Sequence, residues 1–133
     1  MSLRTNIAAI AALLLAFGTA NAAQRPGAEL RCGWFDNPTP GNASLYDRDG
    51  EWTIAIQGGY QAKGDWPPEY PPGQWRATNA GRHGYGCACF KVRVDAEEKN
   101  ILEIVSSKAR PLSACRKDPA LKGVERSLLG SEP

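Results

Sequence analysis

Cys87 and Cys89 are separated by a single residue, and Cys32 and Cys115 complete a set of four cysteines. This spacing constrains the fold more than any other feature of the chain. On an extended strand the two neighbouring cysteines point to the same face. Their Cα atoms would then lie about 6.6 Å apart, near the upper limit for a disulfide. A bond within the pair is therefore disfavoured. Of the three pairings open to four cysteines, those that join one of the pair to Cys32 and the other to Cys115 remain. Cys32–Cys87 with Cys89–Cys115 is the favoured assignment. Either arrangement draws three distant segments onto one strand, as in small disulfide-stapled domains.

The first residues suggest why cysteines would pair at all. Arg4 carries the only charge before Ile7 to Phe17, an unbroken apolar run of 11 residues. Gly18 and Thr19 break the run, and Ala20-Asn21-Ala22 offers small residues at a cleavage site. This is the layout of a secretory signal peptide, residues 1–22, cut after Ala22 or Ala23. A membrane-spanning helix needs roughly 20 apolar residues, about twice this run. No cysteine follows the small residues, so a lipid anchor is not indicated. The expected product is periplasmic or secreted, with no membrane insertion after cleavage.

Cleavage after Ala22 would leave 111 of the 133 residues. That length suits one domain, residues 23–133, with an ordered core over about 31–122. A core this small is marginal, and two disulfides would add roughly 2–4 kcal/mol each. Without Arg4 the remainder has 15 basic and 14 acidic residues. So balanced and scattered a charge gives no field for nucleic acid or an anionic membrane.

The pattern along the chain is that of a small, mainly antiparallel β domain. Arg31 to Asn42 is dense in turn formers and reads as an ordered loop anchored by Cys32, with Trp34 and Phe35 turned inward. Ser44 to Gln57 reads as a hairpin about Asp49-Gly50, with Trp52, Ile54 and Ile56 on its apolar face. Cys87 to Asp95 and Ile101 to Ser107 form a second hairpin. Setting Asp95 opposite Ile101 pairs Val94 with Leu102, Val92 with Ile104 and Arg93 with Glu103, so charge and apolar pattern choose one register. Phe90, Val92, Val94, Leu102 and Ile104 then share a face. A short helical turn is expected near Asp118 to Lys122, and residues 124–133 read as a frayed tail.

Tyr60 to Trp75 is the most unusual stretch. Pro67, Pro68, Pro71 and Pro72 exclude helix and interior strand. Trp66, Tyr70 and Trp75 are interleaved with them in what reads as an extended, polyproline-like loop. Aromatics on a stiff segment lose little entropy on docking and anchor interfaces. Trp66, Tyr70, Trp75 and Tyr85 are therefore the candidate binding residues, although the same rings could simply close over a small core. Gly84 and Gly86, which flank Tyr85, read as backbone devices.

Catalytic constellations are lacking. The one histidine, His83, has no Gly-x-Ser-x-Gly elbow and reads as a surface residue. Cys-x-Cys matches neither zinc-ligand nor thioredoxin spacing. Asp47-Arg48-Asp49-Gly50-Glu51 resembles the start of a calcium loop but lacks its later ligands, and reads as a turn. No catalytic residue, metal or cofactor is assigned.

The stretches CGWFDNPTP (32–40), DRDGEW (47–52), QGGY (57–60), GYGCAC (84–89) and LSACRKDP (112–119) resemble a family of small exported bacterial proteins described only as a domain of unknown function. The likeness runs from about Arg31 to Lys122. It implies a periplasmic protein of a Gram-negative bacterium and transfers no activity. The leading expectation is a non-enzymatic binding, inhibitor or immunity module with an envelope protein or cell-wall glycan as partner. The alternatives are a structural or stress-related envelope factor, or a small hydrolase using Asp36, Asp47, Asp49 or Asp65.

Overall fold

The computed structural model describes residues 25–130, so the expected signal segment lies outside the described residues. Six strands carry the fold: β1 (Glu29–Thr39), β2 (Asn42–Asp47), β3 (Gly50–Ala55), β4 (Trp75–Ala77), β5 (Gly84–Asp95) and β6 (Asn100–Arg110). Two five-residue helices follow, α1 (Leu112–Arg116) and α2 (Val124–Leu128), with a 3-10 turn at Pro119–Leu121 between them. The chain is mainly β, as its pattern predicts. No described helix is long and apolar enough to cross a membrane.

The strand order is β1-β2-β3-β6-β5-β4, and β1 also pairs with β5. That extra pairing rolls the sheet into a five-stranded barrel, with β4 a short flap on the far edge of β5. Placing β5 beside the β1-β2-β3 meander makes a Greek key, the build of partly open barrels of the OB class. The open seam lies between β3 and β6, which share one parallel bridge, Thr53 with Asn100. Residues 61–64 fill the rest of the seam: Ala62 N–H donates to Ile54 O at 2.8 Å and Ile104 N–H to Lys63 O at 2.7 Å. Gly64 is required there, because a Cβ would lie 2.1 Å from Ile104 O.

The alternation of β5 divides the apolar side chains into two cores. Ala88, Phe90 and Val92 point into the barrel, with Phe35, Leu45, Trp52, Ile54 and Ile101. Tyr85 and Cys87 point outward and join Trp34, Leu112, Cys115, Leu121 and Leu128 beneath the C-terminal helices. One end of the barrel is sealed by Trp52. Arg31 lies 3.9 Å and Lys99 Nζ 4.4 Å from its ring centre. Its indole N–H donates to buried Asp47 at 2.9 Å.

The structure corrects several sequence expectations. Arg31 to Asn42 is not a loop; most of it is β1, paired on both edges, and because Phe35 enters one core and Trp34 the other, both faces are covered and the strand shows no alternation. The 44–57 hairpin forms, but β3 stops at Ala55 and Ile56 is 52% exposed. In the second hairpin Val92↔Ile104 and Arg93↔Glu103 pair as expected. A bulge then shifts Val94 to Ile101 and Asp95 to Asn100, so Ile101 is fully buried where Leu102 was expected. The tail is not frayed at its start, because Leu128 of α2 packs into the outer core.

The disulfides are Cys32–Cys89 and Cys87–Cys115, not the favoured Cys32–Cys87 and Cys89–Cys115. Strand register decides this. Cys32 stands directly opposite Cys89 on β1 and β5, with Cα atoms 4.0 Å apart, whereas Cys87 stands opposite Trp34. Cys87 is left facing α1, which carries Cys115.

Candidate functional site

The proline-rich connection crosses the barrel end opposite Trp52. Three aromatics anchor it on the inward-facing Phe35 and its neighbours. Trp66 and Trp75 lie 6.1 and 6.0 Å from the Phe35 ring, centre to centre, and Tyr70 lies 4.8 Å from Trp75. Gly86 makes this approach possible. A Cβ there would sit 2.5 Å from Tyr70 Cε1 and 3.0 Å from Trp75 Cε3. The rings rest on bare backbone, which a side chain would lift away.

Polar contacts hold the loop in place. Trp75 Nε1 donates to Arg82 O at 2.9 Å, tying the end of the loop to the glycine-rich turn. Gln74 Oε1 accepts from Leu112 N at 2.8 Å, which links the loop to the start of α1. Four prolines ahead of these points, between Trp66 and Gln74, remove backbone freedom. The segment is therefore a stiff arch with aromatic feet.

A concave cleft of about 670 Å³ lies along this arch. Pro67, Pro68, Pro71, Pro72, Tyr70 and Trp75 form one wall, and Asn37, Glu69, Arg82 and His83 supply its polar groups. The volume falls within the usual range of small-ligand sites, about 300–1,000 Å³. The Asn37 side-chain amide donates to Thr39 O at 3.1 Å and Asn42 O at 2.6 Å, which fixes its orientation. The Tyr70 hydroxyl and His83 Nδ1 are buried with no hydrogen-bond partner among the described residues. Burial pushes the Tyr70 phenol well above its usual pKa. Glu69 and Arg82 form no ion pair among the described residues.

Of the four candidate binding residues, Tyr70 and Trp75 line the cleft. Trp66 is half-buried and serves as a foot of the arch, packed on the barrel core. Tyr85 does not join them. It is fully buried on the outer side of β5, edge-on to Trp34 at 5.3 Å, and its hydroxyl donates to Glu125 Oε1 at 2.8 Å. Sequence reasoning missed Asn37, Glu69, Arg82 and His83 as cleft residues. Glu69 was legible from its place among the prolines, whereas Arg82 and His83 arrive only through the pairing of β4 with β5.

The carboxylates considered for hydrolysis do not gather in the cleft. Asp47 and Asp49 both accept from Arg31, at 2.7 and 2.8 Å. That hydrogen bond, with the Arg31 charge, holds Asp49 below the usual carboxylate range. Asp65 is exposed on the approach to the arch. Asp36 is 9% exposed on the outer face of β1, where burial and then the Glu51 charge push its pKa up to about 6. The calcium-like stretch is the β2–β3 turn, braced by Asp49 N–H on Asp47 Oδ1 at 2.8 Å. No three His, Cys, Asp or Glu side chains among the described residues are grouped to hold a metal.

No curated protein and no solved structure matches the chain. A family model does: residues 26–122 match the family described as "Protein of unknown function (DUF4087)". Its span takes in the barrel, the proline arch and both disulfides, and the chain belongs to this family of proteins of unknown function.

Proposed function

We propose that this chain is an exported, non-enzymatic binding module of the bacterial envelope, and that its ligand sits in the cleft of the proline arch. The observation that carries the reading is a preformed concavity on a rigid, anchored loop with its charged groups uncommitted. Preorganisation of this kind lowers the entropy lost on binding. Export is supported by the signal-like first 22 residues and by all four cysteines being paired. A binding role is supported over hydrolysis because no two aspartates share the cleft. Inhibition of an envelope enzyme, or immunity to one, is a concrete form of this role.

The test is a pull-down from envelope extract with the tagged mature protein, read by mass spectrometry of proteins and glycans. A Glu69→Lys/Arg82→Glu variant is the control, because both side chains are exposed and outside the core. A species retained by the wild type and lost by the variant supports the reading. Equal retention by both places binding elsewhere, and no retained species at all overturns the reading in favour of a structural envelope factor.

A further inference from the structure

Resting on that reading, the geometry points to a ligand class: we propose that the cleft binds a pyranose chain, an oligosaccharide, rather than a peptide. Pro67, Pro68, Pro71 and Pro72 have carbonyl acceptors but no N–H. The carbonyls of Pro67, Pro68 and Pro72 accept no hydrogen bond among the described residues, whereas Pro71 O accepts from Gln74 N at 3.1 Å. The Glu69 carboxylate adds further acceptors to the cleft. The acceptors along the proline wall need donors from the ligand, and the Arg82 guanidinium and Tyr70 hydroxyl beside them can donate in turn.

Sugar hydroxyls supply those donors along every ring. A proline-rich peptide, the usual occupant of an aromatic groove, has almost none and would leave the carbonyls unpaired. Aromatic surface gives the second half of the match. A pyranose ring has a flat C–H face that stacks on an indole or phenol, and Trp75 and Tyr70 both line the cleft. These rings are held by Gly86 and by the Trp75–Arg82 hydrogen bond, so they need not be ordered on binding. Arg82 is the one uncommitted guanidinium of the cleft and can clamp ring oxygens or a sugar carboxylate in bidentate fashion.

Two sugar sources share this chemistry, a neutral chain and one bearing a carboxylate, and the test separates them. The mature protein, labelled with ¹⁵N, is titrated with chitotriose, with the N-acetylglucosaminyl-N-acetylmuramic acid disaccharide, and with hexaproline. The expected result is a saturable shift of the Trp75 indole resonance with one of the sugars. Glu69→Gln should weaken that binding by about tenfold, or about 1.4 kcal/mol, with no change in melting temperature. Preference for the acidic disaccharide, lost in Arg82→Ala, would assign the carboxylate-bearing source; equal binding would assign the neutral chain. Binding of hexaproline without either sugar would overturn the inference while leaving the cleft a binding site. Silence with all three probes would overturn it too, and the pull-down would then decide the wider reading.

Discussion

Gly86 lies so close beneath Tyr70 that a methyl group on its Cα would sit 2.5 Å from the ring carbon Cε1. The contact joins the two parts of the molecule that matter most, since β5 runs through both cores and Tyr70 walls the cleft. Overpacking at such a point costs about 1–3 kcal/mol. Gly86→Ala should lower the urea midpoint accordingly and lift the arch, which near-UV circular dichroism of its aromatics would register. An unchanged spectrum and midpoint would mean that the arch is not seated on β5.

Asp36 links stability to pH. Its folded-state pKa is raised to about 6 from an ordinary value of 3.8, first by burial and then by Glu51. The native state therefore holds its proton more tightly than the unfolded chain. It follows that stability from this group falls as pH rises between about 4 and about 6, and the full cost is present above that window. A shift of this size corresponds to roughly 2–3 kcal/mol. Asp36→Asn should be more stable than the wild type at pH 7, and the difference should shrink toward pH 4. Denaturant midpoints of both proteins at the two pH values check this, and a difference independent of pH would refute it.

Removing Asp47, by contrast, should destabilise the fold through lost hydrogen bonds. It is buried and accepts from Arg31, from the Trp52 indole and from Asp49 N–H. Asp47→Ala removes the acceptor of the buried Trp52 indole and of Asp49 N–H at the sealed end of the barrel, and leaves Arg31 only its bonds to Asp49 and Glu29. The expected loss is about 3 kcal/mol in chemical denaturation. A loss below about 0.5 kcal/mol, typical of an exposed site, would contradict the arrangement.

The two disulfides should separate by function. Cys87–Cys115 ties β5 to α1, whereas Cys32–Cys89 joins adjacent strands of the barrel. A Cys87→Ala/Cys115→Ala protein should release the C-terminal helices, so that trypsin cuts first after Lys117 or Arg126 and leaves a resistant barrel. Non-reducing peptide mapping of the wild type should recover Cys32 with Cys89. Recovery of Cys32 with Cys87 would refute the register of β1 against β5.

The boundary of what was legible follows from the same contacts. The β5–β6 register was readable because Arg93 and Glu103 oppose each other within an alternating apolar pattern. The bulge beyond them was not, because Ile101 and Leu102 are both apolar and either can fill the core position. β1 was hidden for a related reason. Trp34 and Phe35 enter different cores, so adjacent apolar residues replace alternation, and Pro38 and Pro40 then dominate the reading. The disulfide pairing depended on that unseen strand. At the cleft, the proline-aromatic motif stood out by composition, but Arg82 and His83 are brought beside it only by the folding of β4 onto β5.

The central claim, that the arch is a binding site, is tested most directly by locating where a ligand touches the protein. ¹⁵N-labelled mature protein would be titrated with fractionated envelope extract, with the Trp75 and Trp52 indole resonances followed together. Trp75 faces the cleft, while Trp52 is sealed under Arg31 and Lys99 at the other end of the barrel. Trp75 and the amides around Tyr70 should shift in at least one fraction while Trp52 stays in place. Shifts that avoid the arch, or none in any fraction, would contradict the claim.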